Sequence, residues 1–143
     1  MEARWDEWER AIAEKGITLD RPLYSRHPSY PEIIYPVNYG YINDTPGEDG
    51  QELDIFVGSV PTGLVAYERT IDRMKGDTEI KLLYNCSPEE VYLVHGFLNY
   101  DPELISGRLV MRMPMADLWA LSEVLGSGER PKSTESVDNP PSV

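Results

Sequence analysis

The chain has 143 residues and a net charge of −12, with 25 acidic side chains against 13 basic ones. That length fits one domain and buries roughly 68% of the unfolded surface, so a core forms without staples. The acidic balance argues against nucleic acid or an anionic membrane as partner, and no stretch approaches the roughly 20 apolar residues of a membrane span. The single cysteine, Cys86, excludes an internal disulfide and fits a reducing, cytoplasmic compartment. The polar N-terminus, with Trp and Glu in place of an apolar run, is not expected to be a signal peptide. Any phosphate site must be locally basic, or must use metal to reverse the sign.

Residues 2–15 read as an amphipathic helix. Trp5, Trp8 and Ile12 recur at helical spacing and Gly16 stops it, a stripe for core packing or a dimer contact. Ile17 to Asp20 is a short strand. Residues 21–31 hold Pro22, Pro28 and Pro31 and form an ordered loop that gathers Arg21, Arg26 and His27. Two readings of that basic loop stand. It is a phosphate clamp, because a guanidinium forks onto phosphate oxygens, or its arginines pair with surface carboxylates. His27 is a capped loop histidine or a phosphate contact. With only two histidines in a carboxylate-rich chain, zinc is not expected.

The stretch from Tyr35 to Gly58 organises the rest. Val37 to Ile42 is aromatic and β-branched, with Tyr39 and Tyr41 on one face. Residues 43–50 are dense in turn formers, and Leu53 to Val57 is the next strand. Asp49 and Asp54 are five apart, which on one straight strand puts them on opposite faces. If Asp49-Gly50 turns back, the two carboxylates converge and need a cation between them. Oxygen ligands of that kind suit Mg²⁺, which keeps waters and shares its shell with phosphate. The bland alternative is a solvated Asp-Gly turn.

Residues 63–72 read as a strand with mixed faces, residues 73–77 as a turn, and residues 78–84 as a further strand. In the last, Ile80, Leu82 and Tyr84 share one face, and Glu79 and Lys81 project side by side from the other. That pair is a surface ion pair worth about 0 to 1 kcal/mol, or a metal ligand beside a phosphate contact. Ser87-Pro88-Glu89-Glu90 opens a helix with a capping box, and Val91, Val94 and Leu98 form its buried stripe. Residues 108–113 read as a strand and residues 115–125 as a helix with Leu118, Leu121 and Leu125 on one side. This segment completes the core or makes a homo-oligomer interface. Residues 126–143 are Ser/Pro/Glu/Lys-rich and are expected to be a disordered tail.

Tyr35-Pro36-Val37-Asn38-Tyr39-Gly40-Tyr41-Ile42 followed by Asp49-Gly50-x-x-x-Asp54 resembles the soluble family I inorganic pyrophosphatases. The similarity is greatest to their short bacterial members, which also carry an Asp-Arg-Pro…His-Pro segment like Asp20 to Pro28. It covers about residues 16–100, and the paired motif in this order is more specific than either half. It implies a mainly β (α+β) fold: a small five-stranded β-barrel of the oligonucleotide-binding type with flanking helices. Residues 1–15 then form an N-terminal helix, residues 16–100 the barrel core and residues 101–125 an added strand and helix packed on it. The resemblance also implies Mg²⁺-dependent hydrolysis of inorganic pyrophosphate to two orthophosphates. Asp49, Asp54, Glu79 and Asp77 (Asp72 is the second candidate) would ligate metal. Arg26, Lys81 and Tyr39, with Arg21, would cradle phosphate, and Asp20 sits where the family has another acid near the site. Larger relatives contact phosphate with a Tyr-Lys pair; Tyr100 matches the tyrosine, but no lysine follows it.

In that chemistry magnesium ions cancel the substrate's charge, lower the pKa of a bridging water and align nucleophile with leaving group. Arg and Lys stabilise the departing phosphate. Water attacks directly, so no Ser-His or Cys-His constellation is needed. One departure stands out: two residues after the first aspartate the family places an acid assigned as general base, and this chain has Gln51. An amide orients a water but does not take its proton, and loss of a general base costs about 10² to 10⁴-fold. Glu52 would point to the other strand face. Two rivals follow: a weak or inactive relative that binds a phosphate compound or a protein, and a hydrolase of another phosphoanhydride such as a nucleotide.

Overall fold

The computed structural model describes residues 4–46 and 52–127. Helix α1 (Trp5–Lys15) leads into β1 (Ile17–Arg21), β2 (Asn38–Pro46), β3 (Glu52–Val57), β4 (Leu64–Asp72) and β5 (Asp77–Tyr84). Helix α2 (Pro88–Phe97), β6 (Ile105–Met111) and α3 (Met115–Ser127) follow. The strands form one sheet in the order β1-β2-β3-β5-β4-β6. The mainly β fold with flanking helices expected from the sequence is what is found. An OB-type description is roughly consistent with it, though the sheet has six strands and does not close. The sixth arises because β6 pairs antiparallel along β4, from Ala66 opposite Met111 to Asp72 opposite Ile105. It starts at Ile105 rather than Arg108, so the segment read as an extension hydrogen-bonds to the central sheet.

All pairings are antiparallel except β3 with β5, where Asp54 lies beside Lys81 and Phe56 beside Leu83. The β4–β5 hairpin therefore folds back before β5 docks on β3. Sheet alternation divides the core in two. On one face α1 seats Trp8 and Ile12 against Ile42, Ile55, Leu64, Tyr67 and Leu82. Trp8 meets Tyr67 edge-on, with centroids 5.5 Å apart. Arg112 clamps this helix: Nη1 donates to Glu9 Oε2 at 2.7 Å and Nη2 to Glu9 Oε1 at 3.2 Å, a two-pronged, charge-assisted contact.

On the other face α2 and α3 cover Val37, Phe56, Ala66 and Leu83 with Val91, Val94, Leu98 and Leu118. The capping box is present. Ser87 Oγ accepts from Glu90 N at 3.2 Å, and Glu90 Oε1 accepts from Ser87 N at 2.9 Å. Glu90 also takes Ser59 N and Ser59 Oγ, tying α2 to the end of β3. Leu118 is fully buried in this layer, so α3 helps complete the core. Gly40 permits the close approach of β1 to β2: a Cβ there would lie 1.9 Å from Thr18 O. No helix among the described residues is long and apolar enough to cross a membrane.

Candidate active site

Three strands deliver one charge cluster. Tyr41 of β2 lies opposite Asp54 of β3, and Asp54 lies beside Lys81 of β5. Alternation along β2 and β5 then puts Tyr39 and Glu79 on that same face. The Lys81 ammonium donates to Asp54 Oδ2 at 2.8 Å, Glu79 Oε1 at 2.9 Å and Tyr39 Oη at 2.9 Å. An ammonium has three N–H donors, so all three are spent on protein. Lys81 is only 7% exposed. Burial lowers its affinity for the proton, but Tyr39, Asp54 and Glu79 outweigh that and hold it well above the ordinary lysine value. Burial likewise pushes the Tyr39 phenol up, against the pull of Lys81, so it stays protonated.

The cluster floors a cavity of about 670 Å³. Five carboxylates line it (Asp20, Glu52, Asp54, Asp72, Glu79), against the three permanent cations Arg21, Lys75 and Lys81. The space is thus net negative and unsuited to a polyanion unless further positive charge enters. Lys75 Nζ stands 3.6 Å from Glu79 Oε2 at the exposed rim. An aromatic wall runs up one side. Tyr35 stacks on Tyr39 at 5.2 Å, Phe97 packs on Tyr35 at 5.0 Å, and His27 lies parallel to Tyr35 at 6.4 Å. Arg21 donates to Tyr35 Oη and lies over the Tyr35 and Tyr39 rings.

The residues singled out in the sequence divide accordingly. Tyr39, Asp54, Glu79 and Lys81 are brought together, and Arg21 shares their cavity. Asp49 and Gln51 lie outside the described residues, as does the region from 128 onward. Arg26 turns inward on its own loop, where Nη1 donates to Pro31 O at 2.7 Å, and it is not among the cavity residues. Of the two aspartates left open, Asp72 lines the cavity and Asp77 does not. Asp72 Oδ1 accepts from Met74 N and Lys75 N, each at 3.0 Å, which fixes the carboxylate on the turn. Asp77 Oδ1 is buried without a hydrogen-bond partner among the described residues. His27 is a loop cap: its Nδ1 accepts from Ser29 N at 3.0 Å and Tyr30 N at 3.3 Å. Burial, then Arg21, lower its pKa, so it adds no fixed charge. Tyr100 is exposed at the cavity rim. Lys75 escaped the sequence reading, where its four-residue spacing from Glu79 was the available signal, and Tyr35 entered it only as the head of the motif, without a role at the site.

Asp54 and Glu79 present oxygens to a single point now held by a cation, an oxygen-only donor pair that fits a hard divalent ion. Among the described residues no group of three or more His, Cys, Asp or Glu side chains forms a complete ligand set.

Residues 7–75 match the family model described as inorganic pyrophosphatase. That match spans just under half of the chain, and over that part the chain is similar to the inorganic pyrophosphatases. Among solved structures, an inorganic pyrophosphatase from Neisseria gonorrhoeae aligns with TM-score 0.53 and 13% identity, over 78% of this chain and 88% of that one. One from Coxiella burnetii aligns with TM-score 0.48 and 13% identity, over 76% and 92%. At such identity the first likeness speaks for the fold. No curated protein matches the chain. In this pyrophosphatase-like chain the family match ends at Lys75, before Glu79 and Lys81, so that half of the site rests on its geometry.

Proposed function

We propose that this chain hydrolyses inorganic pyrophosphate to two orthophosphates in the cytoplasm, with Mg²⁺ and by direct attack of water. The observation that carries this is the convergence of Asp54 and Glu79, from parallel neighbouring strands, on one cation-sized point in a negatively charged cavity. Asp54 and Glu79 would hold the ion together with Asp49, and Asp72 is the better placed of the two remaining aspartates. When bound, Mg²⁺ supplies the charge neutralisation that pyrophosphate needs and a lowered pKa for water at the site. Arg21 offers a guanidinium at the cavity, backed by the Tyr35 hydroxyl and ring. Lys81 stabilises charge on the departing phosphate, with the Tyr39 hydroxyl beside it as a neutral hydrogen-bonding group. Gln51 would orient the attacking water without taking its proton.

Phosphate release from pyrophosphate, with and without Mg²⁺, tests this. The expected outcome is slow, Mg²⁺-dependent release, raised about 10²-fold or more in Gln51→Asp, where a general base is restored, and abolished in Asp54→Asn. No release from wild type or from Gln51→Asp overturns it. A second reading, a relative that binds a phosphate compound without turning it over, is favoured by Gln51 and by the full engagement of Lys81. Its signature is pyrophosphate binding in both proteins with no orthophosphate formed.

A further inference from the structure

Lys81 is a buried lysine assigned to phosphate whose every donor is committed to protein. Its ammonium lies 2.8 Å from Asp54 Oδ2 and 2.9 Å from Glu79 Oε1, the two carboxylates best placed for a metal ion. A magnesium ion held by the same two oxygens would leave no place for an ammonium against them. The two cations compete for one seat.

We propose that Lys81 is the exchangeable resident cation of this site. In the metal-free protein its ammonium holds Asp54 and Glu79 together. A divalent cation displaces it, and only then do its N–H groups become available to phosphate. The inference rests on the pyrophosphatase reading and adds an order to it: cation first, phosphate second. The lysine stem has the rotatable bonds for the move. Binding of one ligand must then favour binding of the other by the same factor. The metal-free protein is held back twice, because its cavity is net negative and its buried cation is occupied.

The test compares Mn²⁺ affinity, by calorimetry, in wild type, Lys81→Met and Lys75→Met. Both variants lose one positive charge near Glu79, but Lys75 stands 3.6 Å away at the exposed rim. Lys81→Met should bind Mn²⁺ about tenfold more tightly than wild type, with Lys75→Met gaining much less. In EDTA, Lys81→Met should melt below wild type, and Mg²⁺ should raise its melting temperature by more. Equal gains in the two variants, or none in Lys81→Met, overturn the proposal while metal-dependent turnover by wild type leaves the pyrophosphatase reading intact. Absence of divalent-ion binding in all three proteins, with no turnover, removes both. If Lys81→Met does not fold, ¹⁵N NMR of the wild-type lysine ammonium groups decides. The Lys81 signal should move on Mg²⁺ addition, and an unmoved signal at saturating Mg²⁺ overturns the exchange.

Discussion

The two faces of the central sheet are built from the same strands and obey different rules. Leu82 is fully buried beneath α1, among Ile42, Ile55, Tyr67 and Trp8. Its neighbour Lys81 is 7% exposed on the opposite face, among Tyr39, Asp54 and Glu79. The first face is dry packing, where apolar area removed from water stabilises the fold. The second has a packed layer of its own under α2 and α3, but around Lys81 it holds charges out of water, which costs stability unless every partner is in place. The difference teaches that packing serves both faces, while the charge cluster is confined to one of them. One residue step along β5 passes from one to the other.

The charged face is itself uneven. Glu68, opposite Lys81 across β4 and β5, is fully buried. One oxygen meets His95 Nδ1 at 2.7 Å, and the other, Oε1, has no hydrogen-bond partner among the described residues. Lys81 and its partners are satisfied, whereas Glu68 is half-satisfied.

The contrast between the faces breaks most visibly at Leu82→Ala. A fully buried leucine replaced by alanine should cost about 2–5 kcal/mol, read from urea unfolding. Turnover per folded molecule should barely change, the reverse of Asp54→Asn. A folded Leu82→Ala protein without turnover would mean that the faces are not separable.

Gly107→Ala probes the uneven part of the charged face. An added Cβ would lie 2.5 Å from Glu68 Oε1, so the buried carboxylate must shift, at about 1–3 kcal/mol. On a Glu68→Ala background the same change should cost little, a coupling that a double-mutant cycle measures. Additive costs would remove Glu68 as the cause.

The pH dependence sharpens the contrast further. Burial raises the Glu68 carboxyl above its ordinary 4.5, with the His95 bond pulling the other way. The folded chain then holds this proton more tightly than the unfolded chain, so the associated stability is present below that ordinary value and lost as pH rises through the raised one. Wild type should therefore lose more urea resistance than Glu68→Gln as pH rises above about 4.5. Parallel profiles would assign the pH dependence elsewhere. The smallest effect lies outside both faces: Ser87→Ala removes one half of the α2 capping box and should cost about 1 kcal/mol in the same unfolding assay.

Local signals in the sequence were strong. Trp5, Trp8 and Ile12 at helical spacing give α1, Ser87 to Glu90 give the α2 cap, and the alternation from Glu79 to Tyr84 gives β5 with Glu79 and Lys81 side by side. What they lack is lateral information. Nothing near Asp54 states that β5 will lie parallel beside β3, so the closure of Asp54 on Lys81 was not readable, nor was the burial that makes it more than a surface pair. Strand β4 read as mixed because it is covered on both edges by β5 and β6 and on both faces by helices. Glu68 was therefore invisible as a buried acid, and the small residue that makes room for it, Gly107, lies in a strand whose start was placed three residues too late. Arg26 matched a basic-loop pattern that composition cannot distinguish from a loop bonding to its own carbonyls.

The parallel seam between β3 and β5 also carries a kinetic consequence. The β4–β5 hairpin closes from neighbouring residues, but docking β5 against β3 means ordering the intervening chain first, a loop-closure cost that is met before the reward. The acidic pocket thus forms only once that loop has closed. A polypeptide still lacking β5 displays Asp54 in water as an ordinary carboxylate, with no ammonium to greet it.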